Sequence, residues 1–147
     1  MSADVIIVGA GSAGCAMAER LSRDGTRNVT IVEAGPTDNH LFIRMPAGVA
    51  KAIGSKQFNW HFETTPQVHM NGRRLTTPRG KTLGGSSSIN ALVYIRGNAW
   101  DYDNWAAMGC PGWAYEDVLP YFKEVEDNEL GAGPYHGSGG QLYVSNT

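Results

Sequence analysis

The chain has few cysteines, no long apolar segment and no secretory signal. Its two cysteines, Cys15 and Cys110, have no Cys or His partner at metal-ligand spacing, and two thiols make a poor disulfide framework. We expect both to be reduced and structural. No apolar stretch approaches the ~20 residues that span a bilayer, and no basic segment precedes a small-residue cleavage site. These absences predict a cytoplasmic protein without a transmembrane segment, with peripheral membrane association left open.

Charge is also sparse, and its distribution excludes several classes of partner. Charged residues make up 18% of the 147 and the formal net charge is −2, so a nucleic-acid partner has no electrostatic support. The four histidines adjoin no nucleophile motif and form no pair at metal-ligand spacing, which favours packing or surface roles and no metal site. We expect the four tryptophans to pack in the core or under a lid.

Glycine is abundant, with 19 residues clustered at turns. The first cluster lies in "VIIVGAGSAG", where an apolar run from Val5 to Val8 predicts a parallel strand buried on both faces. Gly9, Gly11 and Gly14 follow with the G-x-G-x-x-G spacing. The first glycine permits a tight turn, the second lets a pyrophosphate approach the backbone, and the third lets the next helix pack on the strand. The stretch therefore predicts a dinucleotide-binding turn.

The residues after this turn strengthen that interpretation. We expect a helix from about Ser12 to Arg23, whose free N-terminal amides face the phosphates of the ligand. A second strand in "NVTIVEAG" ends at Glu33, 19 residues after Gly14. In dinucleotide-binding folds, an acidic residue about 20 positions after the glycine turn binds the ribose hydroxyls. A carboxylate there repels a 2′-phosphate, which disfavours NADP.

A second glycine cluster lies in "PRGKTLGGSSSINALVYIRG". Gly84 and Gly85, followed by three serines, give consecutive backbone N–H groups that are able to form an anion-binding nest. Burying a serine hydroxyl without a partner costs ~1–3 kcal/mol. A long ligand that lies across both glycine clusters would supply such partners, and FAD is long enough to do so.

These stretches resemble the glucose-methanol-choline (GMC) oxidoreductase family. The positions that match its first signature are Gly80-Lys81, Leu83-Gly84-Gly85-Ser86-Ser87, Ile89-Asn90, Tyr94, Gly97 and Asp103. The start "VIIVGAGSAG…EAGP" is similar to the family's FAD-binding start, "GWAYEDVLPYFKEVE" to the helical segment after the signature, and "YHGSGGQLYV" to the strand that leads to its substrate domain. The second cluster looks closest to the choline dehydrogenase-like and aliphatic alcohol dehydrogenase branch.

The resemblance implies an α/β fold, a partial Rossmann-like FAD-binding domain with a long irregular excursion and a helical segment. Its expected parts are the βαβ dinucleotide fingerprint (1–36), the excursion or lid (37–76), the signature loop (77–103), and a helical segment with a strand leading to an absent substrate domain (104–147). Within the last part we expect a short helix from about Tyr115 to Leu119 and a second helix that begins at Pro120, since proline suits the first helical position.

The resemblance also implies the residues that bind FAD. Those expected to hold the diphosphate are Gly9, Gly11, Ser12, Ala13 and Gly14. Glu33, with Ala34 beside it, would hold the adenosine ribose. Those expected to line the flavin side are Leu83, Gly84, Ser86, Asn90, Ala91, Leu92 and Val93. Core packing is the alternative for Leu92 and Val93. Some family members carry a covalently flavinylated histidine just before the signature Asn; here that position is Ile89, so we expect non-covalent FAD.

The implied activity is oxidation of a primary alcohol, choline-like or aliphatic, to an aldehyde by hydride transfer to the flavin. In the family a His–His or His–Asn pair near the C-terminus takes the hydroxyl proton, and no position here matches it. We therefore assign no catalytic residue and expect no turnover by this chain alone, which would be a truncated product or would be completed by a second polypeptide. Two alternatives stay open: a lyase or light-driven decarboxylase on the same scaffold, and a non-catalytic fragment.

Overall fold

The computed structural model describes residues 2–145 and contains six short strands and five α-helices in that range. In chain order they are β1 (Val5–Val8), α1 (Ser12–Ser22), β2 (Val29–Val32), α2 (Leu41–Arg44), α3 (Val49–Gly54), β3 (Phe62–Glu63), β4 (Thr76–Thr77), α4 (Ala99–Ala107), α5 (Tyr115–Val125), β5 (Glu126–Asn128) and β6 (Leu142–Val144). The chain divides into two compact units, with the division between Val93 and Tyr94.

The first unit opens with the predicted strand, helix and strand. β1 and β2 pair in parallel, with Val5 beside Val29 and Val8 beside Val32. α1 begins directly after the glycine turn and ends at Ser22, one residue before the predicted end. A Cβ added to Gly14 would lie 2.0 Å from the carbonyl oxygen of Gly9. Helix and turn therefore approach as closely as the third glycine of the spacing predicts.

The prediction that β1 is buried on both faces is wrong for the residues described. Ile7 is 7% exposed, whereas Ile6 is 64% and Val8 is 87% exposed. Side chains alternate between the two faces of a strand, and Ile7 lies on the face that packs against α1 near Gly14. Within residues 2–145, the other face, which carries Ile6 and Val8, is left open, and β2 is the only strand paired with β1.

The excursion after β2 contains more regular structure than its punctuation indicated. α2, a 3₁₀ turn at Pro46–Gly48 and α3 follow one another. Glycine and proline break the hydrophobic periodicity there, so the sequence predicted no helix. Ala52, Phe58 and Ile89 form a buried cluster under these helices. β3 and β4 then pair antiparallel, with Phe62 beside Thr77.

The second unit is built on α4, α5 and the parallel pair β5–β6. The prediction of two helices meeting at Pro120 is wrong, because α5 continues through Pro120. A proline inside a helix removes one backbone donor. The turn before it is supported by the Asp117 carboxylate, which accepts from the Ala114 amide at 3.1 Å. α4 was not predicted; Asn98 caps it by accepting from the Trp100 amide at 2.9 Å.

A buried ion pair lies at the end of α5. Glu126 is fully buried, and its carboxylate accepts from the Arg96 guanidinium, the Asn128 side chain at 2.9 Å and the Gly137 amide at 3.1 Å. The His136 Nδ1 lies 2.9 Å from the same carboxylate. Burial acts to raise the pKa of Glu126, but the hydrogen bonds and the charge of Arg96 outweigh it and lower that pKa to about 2.

Three further expectations can be compared with the described residues. Cys15 and Cys110 are free thiols, but both are exposed, so neither has the packing role expected. No helix between residues 2 and 145 has the length and apolar character needed to cross a bilayer. In the same range, no three His, Cys, Asp or Glu side chains come together as a metal site.

Candidate functional site

The two glycine clusters, far apart in sequence, are in direct contact. We call residues 9–14 the first glycine loop and residues 83–88 the second glycine loop. The Gly84 amide donates to the Ala10 carbonyl oxygen at 2.8 Å, and Gly11 and Gly84 form an isolated parallel bridge. Gly84 and Gly85 have φ of 84° and 57°, which favour glycine. A Cβ on Gly85 would lie 3.0 Å from the Gly11 Cα, so side chains would separate the loops.

The Glu33 carboxylate links the ends of β1 and β2. One oxygen accepts from the Ala10 amide at 2.8 Å and the other from the Gly35 amide at 2.9 Å. A carboxylate has about four lone-pair sites, so each oxygen keeps one for a further donor such as a ribose hydroxyl. Glu33 can therefore hold the turns in place and accept from a ligand at the same time.

The turn after Glu33 is also fastened to the second glycine loop. Pro36 accepts from the Leu83 amide at 3.0 Å and from the fully buried Thr82 hydroxyl at 2.8 Å. A Cβ on Gly35 would lie 2.0 Å from the Lys81 carbonyl oxygen. The second glycine loop is thus held against the carboxyl end of both strands, where ligands of open α/β sheets bind.

A pocket of about 390 Å³ lies between these turns. Five of the predicted site residues line it: Gly9, Gly11, Glu33, Ala34 and Ser86. Its other lining residues are Val8, Val32, Trp60, Phe62, Arg79, Gly80 and Gly85. The volume is in the range of small-molecule sites.

The first glycine loop has the form that a diphosphate requires. Among the described residues, nothing lies within 4 Å of a Cβ added to Gly9 or Gly11, so this part of the backbone borders open space. α1 begins at Ser12 with no side-chain cap, and its first backbone bond runs from the Cys15 amide to the Gly11 carbonyl oxygen. The amides of Ser12, Ala13 and Gly14 are left for an anion at the positive end of the helix.

The hydroxyls of the second glycine loop have partners of their own. Ser87 donates to the Gly84 carbonyl oxygen at 2.6 Å, and Ser88 donates to that of Leu83 at 2.7 Å. Ser86 accepts from the Gly80 amide at 3.0 Å. The expectation that a ligand supplies the partners of these serines is therefore wrong for Ser87 and Ser88, whose hydroxyls donate to carbonyl oxygens of the loop itself. Only the Ser86 hydroxyl, which lines the pocket, keeps a proton to donate outward.

Sequence reasoning missed the aromatic part of the pocket lining. Trp60 is 44% exposed, so of the two roles expected for the tryptophans, in the core or under a lid, the core role does not apply to it. The rings of Trp60 and Phe62 are parallel within 4°, with centroids 5.8 Å apart, and the Lys81 Nζ lies 4.6 Å from the Trp60 centroid. Strand alternation could not have found them, because His61 between the two rings has a φ of 53° and β3 begins only at Phe62.

Nine of the predicted site residues do not line this pocket. They are Ser12, Ala13 and Gly14 of the first glycine loop, Leu83 and Gly84 of the second, and Asn90, Ala91, Leu92 and Val93. Leu92 and Val93 are 65% and 73% exposed among the residues described, so core packing does not describe them there. The Asn90 side chain accepts from the Leu92 amide at 2.8 Å, and Leu92 has a φ of 62°. Leucine rarely adopts that conformation.

Comparison with known proteins gives concordant matches along the whole chain. The model of the GMC oxidoreductase family matches residues 3–147. Two oxygen-dependent choline dehydrogenases, from Brucella anthropi and Sinorhizobium fredii, are 51% and 50% identical to this chain over 144 residues, which is 98% of its length. Pyridoxine 4-oxidase from Mesorbium loti is similar in structure, with a TM-score of 0.87 and 36% identity over 97% of this chain. Formate oxidase has a TM-score of 0.83 and 30% identity over the same share.

The chain spans about a quarter of the length of these relatives. It covers 26% of each choline dehydrogenase, 28% of pyridoxine 4-oxidase and 26% of formate oxidase.

Proposed function

The chain belongs to the GMC oxidoreductase family, and from that premise we propose that its two glycine loops together hold one FAD molecule. Its fold is the α/β, partial Rossmann-like FAD-binding domain of that family. The observation that carries the proposal is the contact between the loops, in which the Gly84 amide bonds the Ala10 carbonyl oxygen at 2.8 Å. Because the loops are in contact, a long dinucleotide bound at the first loop would also reach the second loop.

In this proposal each part of the site has its own task. The amides at the start of α1 bind the diphosphate and Glu33 accepts from the adenosine ribose, with Ala34 beside it. The second loop and the segment Asn90–Val93 continue toward the flavin, as the family resemblance implies. Bound FAD supplies a hydride acceptor; the residues of this chain bind and orient it.

The substrate class and the reaction extend the proposal beyond residues 1–147. We propose that the whole enzyme oxidises a primary alcohol, choline-like or aliphatic, to an aldehyde. The names of the choline dehydrogenase relatives support an alcohol donor. No residue of this chain matches the family's proton-accepting pair, so the proposal assigns no base among residues 1–147. A cytoplasmic location stays part of this proposal.

We also propose that FAD is bound without a covalent link. Ile89 occupies the position where flavinylated relatives carry histidine, and its side chain is 3% exposed, packed with Ala52 and Phe58. A buried aliphatic side chain has no nucleophilic atom to offer the flavin. Acid precipitation of the yellow protein should leave the flavin in the supernatant. Flavin that stays with the precipitate would overturn this part of the proposal.

A glycine substitution tests whether the first loop holds FAD. Gly11 has a φ of −77°, which alanine adopts freely, and a Cβ there meets no protein atom within 4 Å. Gly11→Ala should therefore fold normally but keep the diphosphate off the backbone, weakening FAD binding ~10-fold or more. Gly54→Ala is the matched control, because a Cβ at Gly54 also meets nothing within 4 Å and Gly54 does not line the pocket.

The affinities are read from the fluorescence of FAD on titration with each protein. Weaker binding by Gly11→Ala, with Gly54→Ala unchanged, supports the proposal. No binding by the unsubstituted chain, or equal affinities for all three proteins, contradicts it.

A further inference from the structure

Arg79 is the cationic residue of the pocket. Of the twelve residues that line it, only Glu33 and Arg79 carry charged side chains. Glu33 is already engaged with the Ala10 and Gly35 amides. Among the described residues, Arg79 is thus the cation that lines the pocket, while the Lys81 Nζ lies beside the Trp60 ring without lining it. The sequence motifs did not single out Arg79.

The main chain of Arg79 is fixed by a buried neighbour. The Arg79 amide donates to the Asn59 Oδ1 at 3.0 Å, and the Arg79 carbonyl oxygen accepts from the Trp60 amide at 3.0 Å. Asn59 is 2% exposed, and its Nδ2 donates to the Ile53 carbonyl oxygen at 2.6 Å. The side chain of Arg79 thus leaves the backbone from a rigid position.

That position adjoins the second glycine loop. Gly80, the next residue, donates its amide to the Ser86 hydroxyl at 3.0 Å, and a Cβ on Gly80 would lie 2.1 Å from the Gly85 carbonyl group. Gly85 in turn is in contact with Gly11 of the first loop. Arg79 lines the same pocket as Gly9 and Gly11, so its side chain borders the space that a diphosphate at the first loop would enter.

The guanidinium itself has unused capacity. Its Nη1 donates to the adjacent Pro78 carbonyl oxygen at 2.7 Å. Among the residues that the structure describes, no carboxylate pairs with Arg79. A guanidinium has five N–H donors in a planar fork that suits phosphate oxygens. Most of these donors are available to a ligand.

We propose that Arg79 binds the diphosphate of the dinucleotide, pairing its guanidinium with phosphate oxygens that the α1 amides bind from the first loop. This inference rests on the proposed FAD site and adds to it a side-chain charge on the diphosphate. The backbone amides donate hydrogen bonds to the diphosphate but carry no net charge. The arginine would add the positive charge that neutralises the phosphate oxygens.

Two substitutions at Arg79 and one control test the proposal on the full chain. Arg79→Gln should weaken both FAD and ADP binding ~10-fold or more, since a charged hydrogen bond is lost. Arg79→Lys, which keeps the charge but not the fork, should lose less. Arg73→Gln is the control, because Arg73 is exposed in the neighbouring hairpin and does not line the pocket. The loss for Arg79→Gln should shrink as KCl rises from about 0.05 to about 0.5 M.

The outcomes separate this inference from the proposed function. If the unsubstituted chain binds FAD and Arg79→Gln binds it as tightly as Arg73→Gln does, the role of Arg79 is wrong and the FAD site stands. A loss that does not change with salt, or that is equal for Arg79→Gln and Arg79→Lys, also overturns the ionic contact. If the unsubstituted chain binds neither FAD nor ADP, both proposals fall. Circular dichroism of Arg79→Gln and Arg79→Lys checks that a loss of FAD binding does not come from a loss of folding.

Discussion

At the residue scale, two glycines of one motif serve different needs. A Cβ on Gly14 would lie 2.0 Å from the Gly9 carbonyl oxygen, whereas one on Gly11 would meet nothing within 4 Å. Gly14 is thus required by the packing of α1 on the turn, and Gly11 by the approach of a ligand. The spacing G-x-G-x-x-G combines a folding requirement with a binding requirement.

Gly14→Ala should destabilise the protein where Gly11→Ala does not. Overpacking at a close backbone contact costs about 2 kcal/mol or more, because the Gly9 carbonyl has to move. Gly11→Ala should change the free energy of unfolding by less than about 0.5 kcal/mol, since its backbone conformation suits alanine. Urea unfolding followed by circular dichroism measures both. Equal stabilities for the two variants would show that α1 does not pack on the turn as described.

At the element scale, the junction of α5 and β5 concentrates buried charge. Glu126, the first residue of β5, is fully buried and is bonded to Arg96, Asn128 and Gly137. The Arg96 guanidinium also lies 5.3 Å from the Phe122 ring centroid of α5. One carboxylate thus joins three segments of the second unit.

This carboxylate should make the second unit sensitive to acid. The pKa of Glu126 falls from its ordinary 4.5 to about 2 on folding. Its contribution to stability is therefore complete above about pH 4.5 and is lost as the pH falls toward 2. Glu126→Gln should destabilise the protein by about 3 kcal/mol at neutral pH, because Arg96 is left without its partner. The stability difference between native and variant should shrink from pH 4.5 to pH 2.

Unfolding by urea at a series of pH values measures that difference. Glu63→Gln is the control, since Glu63 is exposed on β3. A difference between native protein and Glu126→Gln that is constant across this window would contradict the buried ion pair.

Regular elements with local signals were predictable from the sequence, and the others were not. β1, α1 and β2 follow from an apolar run, a glycine turn and helical periodicity. Pro120 predicts a helix start from the sequence, but α5 tolerates this proline inside the helix. α4 was not predicted because its sequence has no strong apolar stripe along one face of the helix. Its cap at Asn98 is local, but its packing against α5 depends on contacts far apart in sequence, such as Tyr102 with Phe122.

At the scale of the whole molecule, the candidate pocket lies entirely within the first compact unit. The sequence predicted Glu33 and the first glycine loop from their spacing, and the family resemblance brought in the second loop. Neither could predict Trp60 or Arg79 in the pocket, because their placement comes from the long-range pairing of the segment at Asn59 with that at Gly80. Such pairing depends on tertiary structure that no local pattern reports.

If both glycine loops hold one dinucleotide at once, amide hydrogen exchange measured with and without FAD should show it. FAD should slow exchange at residues 9–14 and at residues 83–88 together, whereas ADP should slow it mainly at residues 9–14. Protection confined to the first loop, or absent from both, would contradict this arrangement.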